Sequence, residues 1–174
     1  GVFCRFTVSL FLFCFFFFMI RRPPRFTLDR ASAASDVYKR QGLQPVPFAS
    51  MFDVLQGRFA KWNLSTLVSL GKREYLVAAN WKLIVQNYSE CYHCAAVHPR
   101  LVKLSPPTSG GNDLVEGPFL GGYMEIATQG GSLSLSGQAC GASVGEFSAD
   151  ERQRVYYYVL FPNMFLSLHH DYVM

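Results

Sequence analysis

The sequence predicts an α+β fold in which an antiparallel sheet wraps one long helix. Three observations support this fold class: apolar residues at helical spacing over 80–98, alternating patterns in the C-terminal third, and a 50% hydrophobic composition over 174 residues. A chain of this size and composition can form one domain, or part of a larger one, around its own core. The predicted order is helix, strand, long helix, loop and then antiparallel strands, without an internal repeat.

The first predicted elements follow a proline-rich connector, GLQPVPFAS. Ser50 is a candidate N-cap for a helix over MFDVLQGRFAKW. The segment TLVSLGKREYLVAA is rich in Val, Leu and Tyr and predicts a strand, with Gly71 at a turn or bulge. Asn80 is a candidate N-cap for the long helix. Along that helix one apolar stripe is expected to face a core, formed by Trp81, Ile84, Val85, Tyr88, Tyr92 and Ala95.

The remaining elements are a loop and a group of strands. LSPPTSGGNDLVEGPFLGG has too much Pro and Gly for regular structure, whereas YMEIAT and SLSLSG alternate and predict strands. RVYYYVLF and MFLSLHHDYVM predict two more strands, separated at Pro162 and Asn163. Adjacent His169 and His170 would face opposite sides of such a strand, one inward and the other exposed. The tyrosines at 156–158 favour sheet packing over an aromatic cage for a quaternary ammonium.

Residues 1–41 differ in composition from the rest of the chain. They hold seven Lys or Arg against two Asp, whereas residues 42–174 hold nine basic and ten acidic side chains, which excludes a basic nucleic-acid footprint. The apolar run FTVSLFLFCFFFFMI is shorter than the roughly 20 residues of a membrane span and ends in RRPPR without a cleavage site. MIRRPPRFTLDRASAASDVYKRQ resembles translated sequencing-adaptor DNA. We therefore interpret residues 1–41 as a non-native or disordered leader, with an N-terminal membrane anchor as the alternative.

The five cysteines do not form the pattern of a disulfide-stabilised domain. Cys4 and Cys14 lie in the leader, and the other three, Cys91, Cys94 and Cys140, make an odd number. Reduced thiols and a cytoplasmic location without membrane association are therefore expected.

The stretch NWKLIVQNYSECYHCAAVHP concentrates potential metal ligands. Four donors of the zinc type occur within eight residues, namely Cys91, His93, Cys94 and His98. On one helix they would point around its circumference and could not close a tetrahedron. The two histidines alone lie about 140° apart on an ideal helix, so they share an ion only if the helix ends or distorts between them. Pro99 disfavours the α conformation at His98 and is expected to turn that histidine towards the ion that His93 faces.

Polar residues precede these histidines on the same side of the predicted helix. Glu90 stands three residues before His93, where its carboxylate can hold the imidazole ring. Gln86 and Asn87 extend the polar side by one turn, which predicts a buried polar site. Two histidines with open positions suit non-haem Fe(II), whose ligand set is completed by a carboxylate. Spacing alone nevertheless favours ordinary surface or core histidines.

The same stretch resembles the iron-binding signature of the α subunit of Rieske non-haem iron oxygenases, the aromatic-ring-hydroxylating family. That signature reads roughly N-W-K, then N-x-x-(D/E)-x-x-H-x4-H-P, and YYYVLFPNMFLSLHHDYVM is similar to strands that follow in the family's catalytic domain. The resemblance runs from about residue 64 to residue 174. It implies an incomplete helix-grip (SRPBCC-like) catalytic domain, closest to the branch that acts on glycine betaine and related quaternary amines.

The resemblance also implies roles for individual residues and partners for the whole protein. His93 and His98 would bind a mononuclear Fe(II), Glu90 would conduct electrons between subunits, and Asn87 would be an amide near the iron. The implied enzyme hydroxylates or oxidatively dealkylates a small organic substrate, aromatic or quaternary amine, with O2. Its electrons come from NAD(P)H through a ferredoxin or flavin reductase and a [2Fe–2S] Rieske cluster, and the full-length protein is expected to be a homotrimer.

Several family features are missing from the sequence. The Rieske cluster motifs C-x-H and C-x-x-H are expected before residue 42, and the third, carboxylate ligand after Met174. Residues 42–174 are therefore expected to form a truncated catalytic domain that does not turn over alone. Asp171 lies on a predicted strand and is not expected to be the third ligand, and Cys91 and Cys94 match no family ligand and are expected to be small buried side chains. Two alternatives remain, a metal-free helix-grip carrier and a zinc-binding interaction module.

Overall fold

The computed structural model describes residues 4–12, 47–161 and 163–174. Its helices are α1 (Phe48–Phe59), α2 (Trp81–Ser89), α3 (Cys94–Val97), α4 (Pro99–Leu104) and α5 (Ala149–Arg152). Its strands are β1 (Cys4–Leu12), β2 (Val68–Val77), β3 (Gly111–Asp113), β4 (Phe119–Glu125), β5 (Arg154–Leu160) and β6 (Met164–Leu168). Strands β1 and β2 form an antiparallel ribbon, and β3, β4, β5 and β6 form an antiparallel sheet in that order. The predicted α+β class with an antiparallel sheet is confirmed.

The main core lies between α1, the 3-10 turn that follows it and one face of the four-stranded sheet. The Tyr158 ring meets the Phe59 ring edge to face, with a centroid distance of 5.0 Å. Trp62 is 5% exposed and contacts the rings of Phe147 and Tyr156, each at 5.2 Å. Its indole Nε1 donates a hydrogen bond of 2.8 Å to the carbonyl of His169. The predicted packing role of the tyrosines on this face is therefore confirmed.

Helix α2 packs against the opposite face of the sheet. Tyr88 places its ring 4.8 Å from that of Phe165 and 5.8 Å from that of Tyr157, and its hydroxyl donates a 2.7 Å hydrogen bond to the carbonyl of Leu166. Burial raises the pKa of Tyr88 well above its usual range. Because Tyr157 alternates with its two neighbours along β5, the sheet separates this contact from the main core.

The predicted long helix is interrupted at Glu90. Asn80 caps its start as expected, because its side chain accepts a 2.9 Å hydrogen bond from the backbone N–H of Lys82. The helix then ends at Ser89, whose hydroxyl donates to the carbonyl of Val85, and Glu90 is extended with φ −136° and ψ 161°. Such side-chain hydrogen bonds compete with the helical ladder.

The early end of α2 also changes which side chains the core covers. Of the predicted apolar stripe, Val85 is buried and Ile84 and Tyr88 are half-buried. The stripe prediction is wrong at both ends, since Trp81 is 41% exposed and Tyr92, beyond the helix, is 98% exposed.

Two further local predictions are wrong for related reasons. Ser50 does not cap α1, which begins at Phe48 after Pro47, and its hydroxyl donates to the carbonyl of Pro47 instead. The segment SLSLSG forms no strand. Its serines bond to nearby backbone, with Ser134 Oγ donating to the carbonyl of Gln138 at 2.7 Å, and these local bonds replace pairing to a neighbouring strand.

For the β1–β2 ribbon, the prediction of strand β2 is confirmed, whereas the interpretation of the leader stays a prediction. Strand β2 is present as predicted, and the register with β1 shifts where Gly71 and Ser69 pair with consecutive β1 residues, next to the predicted bulge. Strand β1 comes from the segment interpreted as a leader, and whether residues 1–41 are native stays a prediction. No helix in the described part of the chain is long and apolar enough to cross a membrane.

The C-terminal segment folds back on itself and is not one strand. Strand β6 ends at Leu168, which bridges to Val173, and the backbone N–H of His169 donates to the carbonyl of Tyr172. This C-terminal hairpin buries both His169 and His170, so the prediction that one of them is exposed is wrong. Asn163 lies in the turn before β6, as predicted, and Pro162 lies outside the described residues.

Candidate metal centre

The two histidines of the candidate site lie side by side in the segment after α2. Their ring centroids are 5.2 Å apart, and the ring planes make an angle of 78°. His98 leaves the helical conformation, with φ −122° and ψ 57°, directly before Pro99, as the proline predicts. The helix is already broken upstream at Glu90, and the short helix α3 then separates His93 from His98, so the departure at His98 is the one that alters their relative position.

The separation of the rings is compatible with two ligands of one metal ion. A metal–imidazole bond of about 2.1 Å places each ring centroid roughly 3.2 Å from the ion. Two such ligands at an angle of about 90 to 110° then have centroids roughly 4.5 to 5.2 Å apart. The observed 5.2 Å falls within this interval. The centroid separation of His93 and His98 therefore meets one geometric requirement of a cis pair of imidazole ligands.

Glu90 orients the first of these histidines. Its Oε1 lies 2.7 Å from Nδ1 of His93, and its other carboxylate oxygen accepts a hydrogen bond from the backbone N–H of Tyr92. The hydrogen bond with His93 is the main reason that the pKa of Glu90 is lowered. Because the carboxylate accepts from Nδ1, the Nε2 atom is left free for a ligand. The predicted contact between Glu90 and His93 is confirmed.

The polar side of α2 is not a buried site. Gln86, Asn87 and Glu90 are exposed, which contradicts the prediction, because α2 turns Val85 and Tyr88 towards the sheet. Asn87 lines an open, largely apolar cleft of about 400 Å³ between β2 and α2, together with Tyr75, Val77, Ala79, Leu83 and Ile84. Its predicted place near a metal ion stays a prediction.

A third ligand does not join the two imidazoles within the described residues, where no group of three or more His, Cys, Asp or Glu side chains could hold a metal. Asp171 is 2% exposed and lies in a bend of the C-terminal hairpin, not on a strand. Its Oδ2 accepts a 2.6 Å hydrogen bond from the backbone N–H of Cys140. Asp171 therefore has a structural role in the hairpin.

The cysteines of the segment are joined to each other. Cys91 and Cys94 form a disulfide, with Cα atoms 5.0 Å apart. The expectation of reduced thiols is therefore wrong for this pair, whereas Cys94 is buried as expected and Cys91 is half-buried. The turn between α2 and α3 brings the Cα atoms within the usual disulfide range of about 4.4 to 6.8 Å, which counting cysteines could not reveal. The bridge also removes the two thiolates that the alternative zinc-binding module would need.

His169 is a buried titratable group that the sequence reasoning did not single out for its environment. It is fully buried, and neither ring nitrogen has a hydrogen-bond partner among the described residues. Its ring stacks on that of Tyr172 with a centroid distance of 4.0 Å. Burial, followed by the neighbouring His170, lowers the pKa of His169 to about 3.

This environment predicts a loss of stability in acid. The folded-state pKa of about 3 lies below the ordinary value of 6.5, so the unfolded chain binds more protons between these values. The free energy of unfolding should fall as pH is lowered through this window, by about 2 to 3 kcal/mol between pH 6.5 and pH 4.5. Urea denaturation at several pH values measures this slope.

The matched variant is His169→Phe, which retains an aromatic ring for the stack on Tyr172 but cannot titrate. Whatever its stability at neutral pH, its free energy of unfolding should depend less steeply on pH. His98→Gln, which alters an exposed ring, should retain the slope of the unchanged protein. Equal slopes for His169→Phe and the unchanged protein would contradict the prediction.

Comparison with known proteins connects this geometry to a family. Residues 64–174 match the family model described as the ring hydroxylating alpha subunit (catalytic domain). Over 26 residues the chain is 62% identical to the glycine betaine monooxygenase oxygenase subunit of Pseudomonas aeruginosa, a stretch covering 15% of this chain and 6% of that protein.

Two further relatives have similar names. Identity to the glycine betaine monooxygenase oxygenase subunit of Chromohalobacter salexigens is 30% over 59 residues, which is 34% of this chain and 13% of the relative. Identity to the carnitine monooxygenase oxygenase subunit of Acinetobacter baumannii is 71% over 21 residues, 12% of this chain and 6% of the relative. The matched stretches thus span only a small part of these relatives' lengths.

Proposed function

This chain belongs to the family of ring-hydroxylating α-subunit catalytic domains, and on that premise we propose that it is part of a non-haem iron oxygenase that hydroxylates or oxidatively dealkylates a small organic substrate. The observation that carries the proposal is the pair of imidazoles, His93 and His98, with ring centroids 5.2 Å apart. A pair of cis imidazoles with open positions is the part of a facial Fe(II) site that this segment can supply.

His93 and His98 would hold the iron. When bound, Fe(II) supplies the activation of O2, with electrons from NAD(P)H that reach it through a ferredoxin or flavin reductase and a [2Fe–2S] Rieske cluster in the complete protein. Glu90 keeps the His93 ring in one orientation through Nδ1. Its carboxylate is exposed, so a neighbouring subunit could approach it in the proposed homotrimer, where Glu90 would link the two subunits for electron transfer.

A quaternary amine is the proposed substrate class. The curated relatives named above are monooxygenase subunits for glycine betaine and carnitine, which supports this class over an aromatic compound. The cleft beside α2 is lined mainly by apolar atoms and includes the ring of Tyr75 and the amide of Asn87. Apolar walls suit methyl groups, and an aromatic face attracts a quaternary ammonium.

The remaining parts of the proposal concern the whole protein. We propose a helix-grip catalytic domain, which the packing of Tyr88 across β5 and β6 supports. The complete enzyme would also use a carboxylate as the third iron ligand. Its cytoplasmic location stays a prediction from the sequence.

The test combines metal analysis with a spectroscopic probe. Protein loaded anaerobically with Fe(II) and exposed to nitric oxide should give an electron paramagnetic resonance signal. That signal should require His93 and change on addition of glycine betaine or carnitine. The control ligand is 3,3-dimethylbutyrate, in which a neutral tert-butyl group replaces the trimethylammonium group of glycine betaine, and it should have a much weaker effect.

Three results would overturn the proposal. Absence of bound iron in protein that is folded by circular dichroism would favour a metal-free carrier. Bound zinc that disappears after Cys91→Ser with Cys94→Ser would favour an interaction module. A signal that persists in His93→Ala would show that the iron is held elsewhere.

A further inference from the structure

The Cys91–Cys94 disulfide encloses one of the two imidazole-bearing residues. The bridge closes a turn of four residues that contains His93, and the backbone N–H of Cys94 donates to the carbonyl of Cys91 at 3.1 Å. The second histidine is attached to the same turn, because the backbone N–H of His98 donates to the carbonyl of Cys94 at 2.8 Å. The bridge is therefore connected to both imidazoles within one helical turn.

Apart from the bridge, this turn is held mainly by backbone hydrogen bonds, such as those that the carbonyl of His93 accepts from the N–H groups of Ala96 and Val97. Glu90 and His98 are exposed, Tyr92 is almost fully exposed, and Cys94 is the one side chain between residues 90 and 98 that is buried. The contact between Glu90 and His93 is a side-chain restraint on the first imidazole. A crosslink that closes a short loop removes conformations that the open loop could otherwise adopt. The covalent bridge thus adds a restraint to the backbone hydrogen bonds of a segment that has few buried side chains.

The bridge lies where a small reductant can reach it. Cys91 is half-buried at the end of an exposed segment, whereas Cys94 is 3% exposed. Attack on the more accessible Sγ of Cys91 would release Cys94 as the leaving thiolate. Access to the attacked sulfur is one of the factors that set the rate of thiol–disulfide exchange.

We propose that Cys91 and Cys94 are a thiol–disulfide exchange site for dithiol reductants, and that the disulfide form organises His93 and His98 for metal binding. In the exchange, one thiolate of the reductant attacks Sγ of Cys91, the Cys91–Cys94 bond breaks, and Cys94 leaves as a thiolate. The second thiol of the reductant then displaces Cys91 and closes the reductant's own disulfide. Two electrons pass from the dithiol to the bridge, and two protons from the dithiol end on the protein thiols.

The proposal rests on the proposed function only in its metal-binding half, and two readouts keep the halves apart. The first is amide hydrogen exchange over residues 93–98 in the metal-free full chain, before and after treatment with dithiothreitol. Reduction should speed exchange at His98, whose N–H is bonded to Cys94, by at least about tenfold. The second is the affinity for Co(II), followed by its visible absorption, which should fall at least about tenfold on reduction.

The redox state is verified on one tryptic peptide. Cleavage after Lys82 and Arg100 releases residues 83–100, which contain both cysteines, so differential alkylation reports the bridge directly. Cys91→Ser with Cys94→Ser should behave as the reduced protein with or without dithiothreitol. Cys140→Ser, which alters an exposed free thiol, should respond to dithiothreitol as the unchanged chain does.

Each contrary outcome has a separate meaning. Two results would overturn the thiol–disulfide exchange site itself. One is free thiols on the peptide after mild oxidation, and the other is an amide hydrogen exchange rate over residues 93–98 that reduction does not change. The effect of the disulfide on the imidazoles would be overturned by equal Co(II) affinity in the oxidised and reduced proteins. A thiolate-to-cobalt absorption band in the reduced protein would overturn it as well. If hydrogen exchange responds but neither state binds Co(II), the proposed iron site fails and the metal-binding half fails with it.

Discussion

Replacing His93 with alanine is expected to weaken Fe(II) binding by more than about 100-fold, because even the loss of a group that only orients a metal ligand costs roughly 10- to 100-fold. His93 and His98 are the two imidazoles whose spacing fits one ion, so removing either leaves a single donor. The affinity can be measured anaerobically by competition with a chromophoric ferrous chelator.

Two neighbours of His93 provide graded controls. Glu90→Gln keeps a side chain of the same shape but loses the charge that holds Nδ1, so we expect a loss of about 10- to 100-fold. Tyr92→Ala removes a ring that is 98% exposed in the same turn and should leave the affinity within about twofold. If Tyr92→Ala weakened binding as much as His93→Ala, the effect would come from the shape of the turn and not from a ligand.

Trp62→Ala should cost about 3 to 5 kcal/mol of unfolding free energy, the range for large aromatic residues in cores. The indole is 5% exposed, contacts the rings of Phe147 and Tyr156, and donates a hydrogen bond to the carbonyl of His169. The variant would therefore lose apolar contacts and leave a buried carbonyl without its donor. Chemical denaturation followed by far-UV circular dichroism measures the change.

The other tryptophan supplies the matched control. Trp81 is 41% exposed at the start of α2, so Trp81→Ala should cost less than about 1 kcal/mol. Trp62→Phe separates the two contributions, since it keeps a ring in place but removes the N–H, and should cost about 1 to 3 kcal/mol. Equal losses for Trp62→Ala and Trp81→Ala would contradict the assignment of Trp62 to the core.

The parts of the fold that the sequence predicted are those where apolar pattern decides the outcome. Strand β5 is buried or half-buried along its whole length. Strand β2 is exposed along its whole length, so its prediction depended on residue propensity and not on burial. The Asn80 cap was predictable because an N-cap depends only on the residue and its immediate neighbours.

The predictions of secondary structure that are wrong lie where side chains form hydrogen bonds to nearby backbone or where the chain reverses direction. SLSLSG alternates like a strand, but hydroxyls such as that of Ser134 satisfy the backbone locally. The predicted long helix ends early at Ser89 and Glu90, because their side chains also form hydrogen bonds to nearby backbone groups. The reversal at His169 depends on pairing between Leu168 and Val173, and the period-two pattern of the segment carries no sign of it.

Within the candidate site, local geometry was predictable and burial was not. The departure of His98 from the helix follows from Pro99. The predicted contact of Glu90 with His93 is present, but it is made from an extended residue at the break and not along a continuous helix. The exposure of Asn87 depends on which face of α2 the sheet covers, and the disulfide depends on a turn that helical periodicity concealed.

The hydrogen bond from Trp62 to His169 joins residues 107 positions apart, and it has a consequence for biosynthesis. At about 5 to 20 residues per second, the ribosome needs roughly 5 to 20 s to make the chain between them. Until β5 is made near the end of that interval, the apolar face of α1 has none of its β5 or C-terminal partners. Nascent chains stalled within this interval should therefore bind chaperones that recognise exposed apolar helices, and release them once Val173 has emerged.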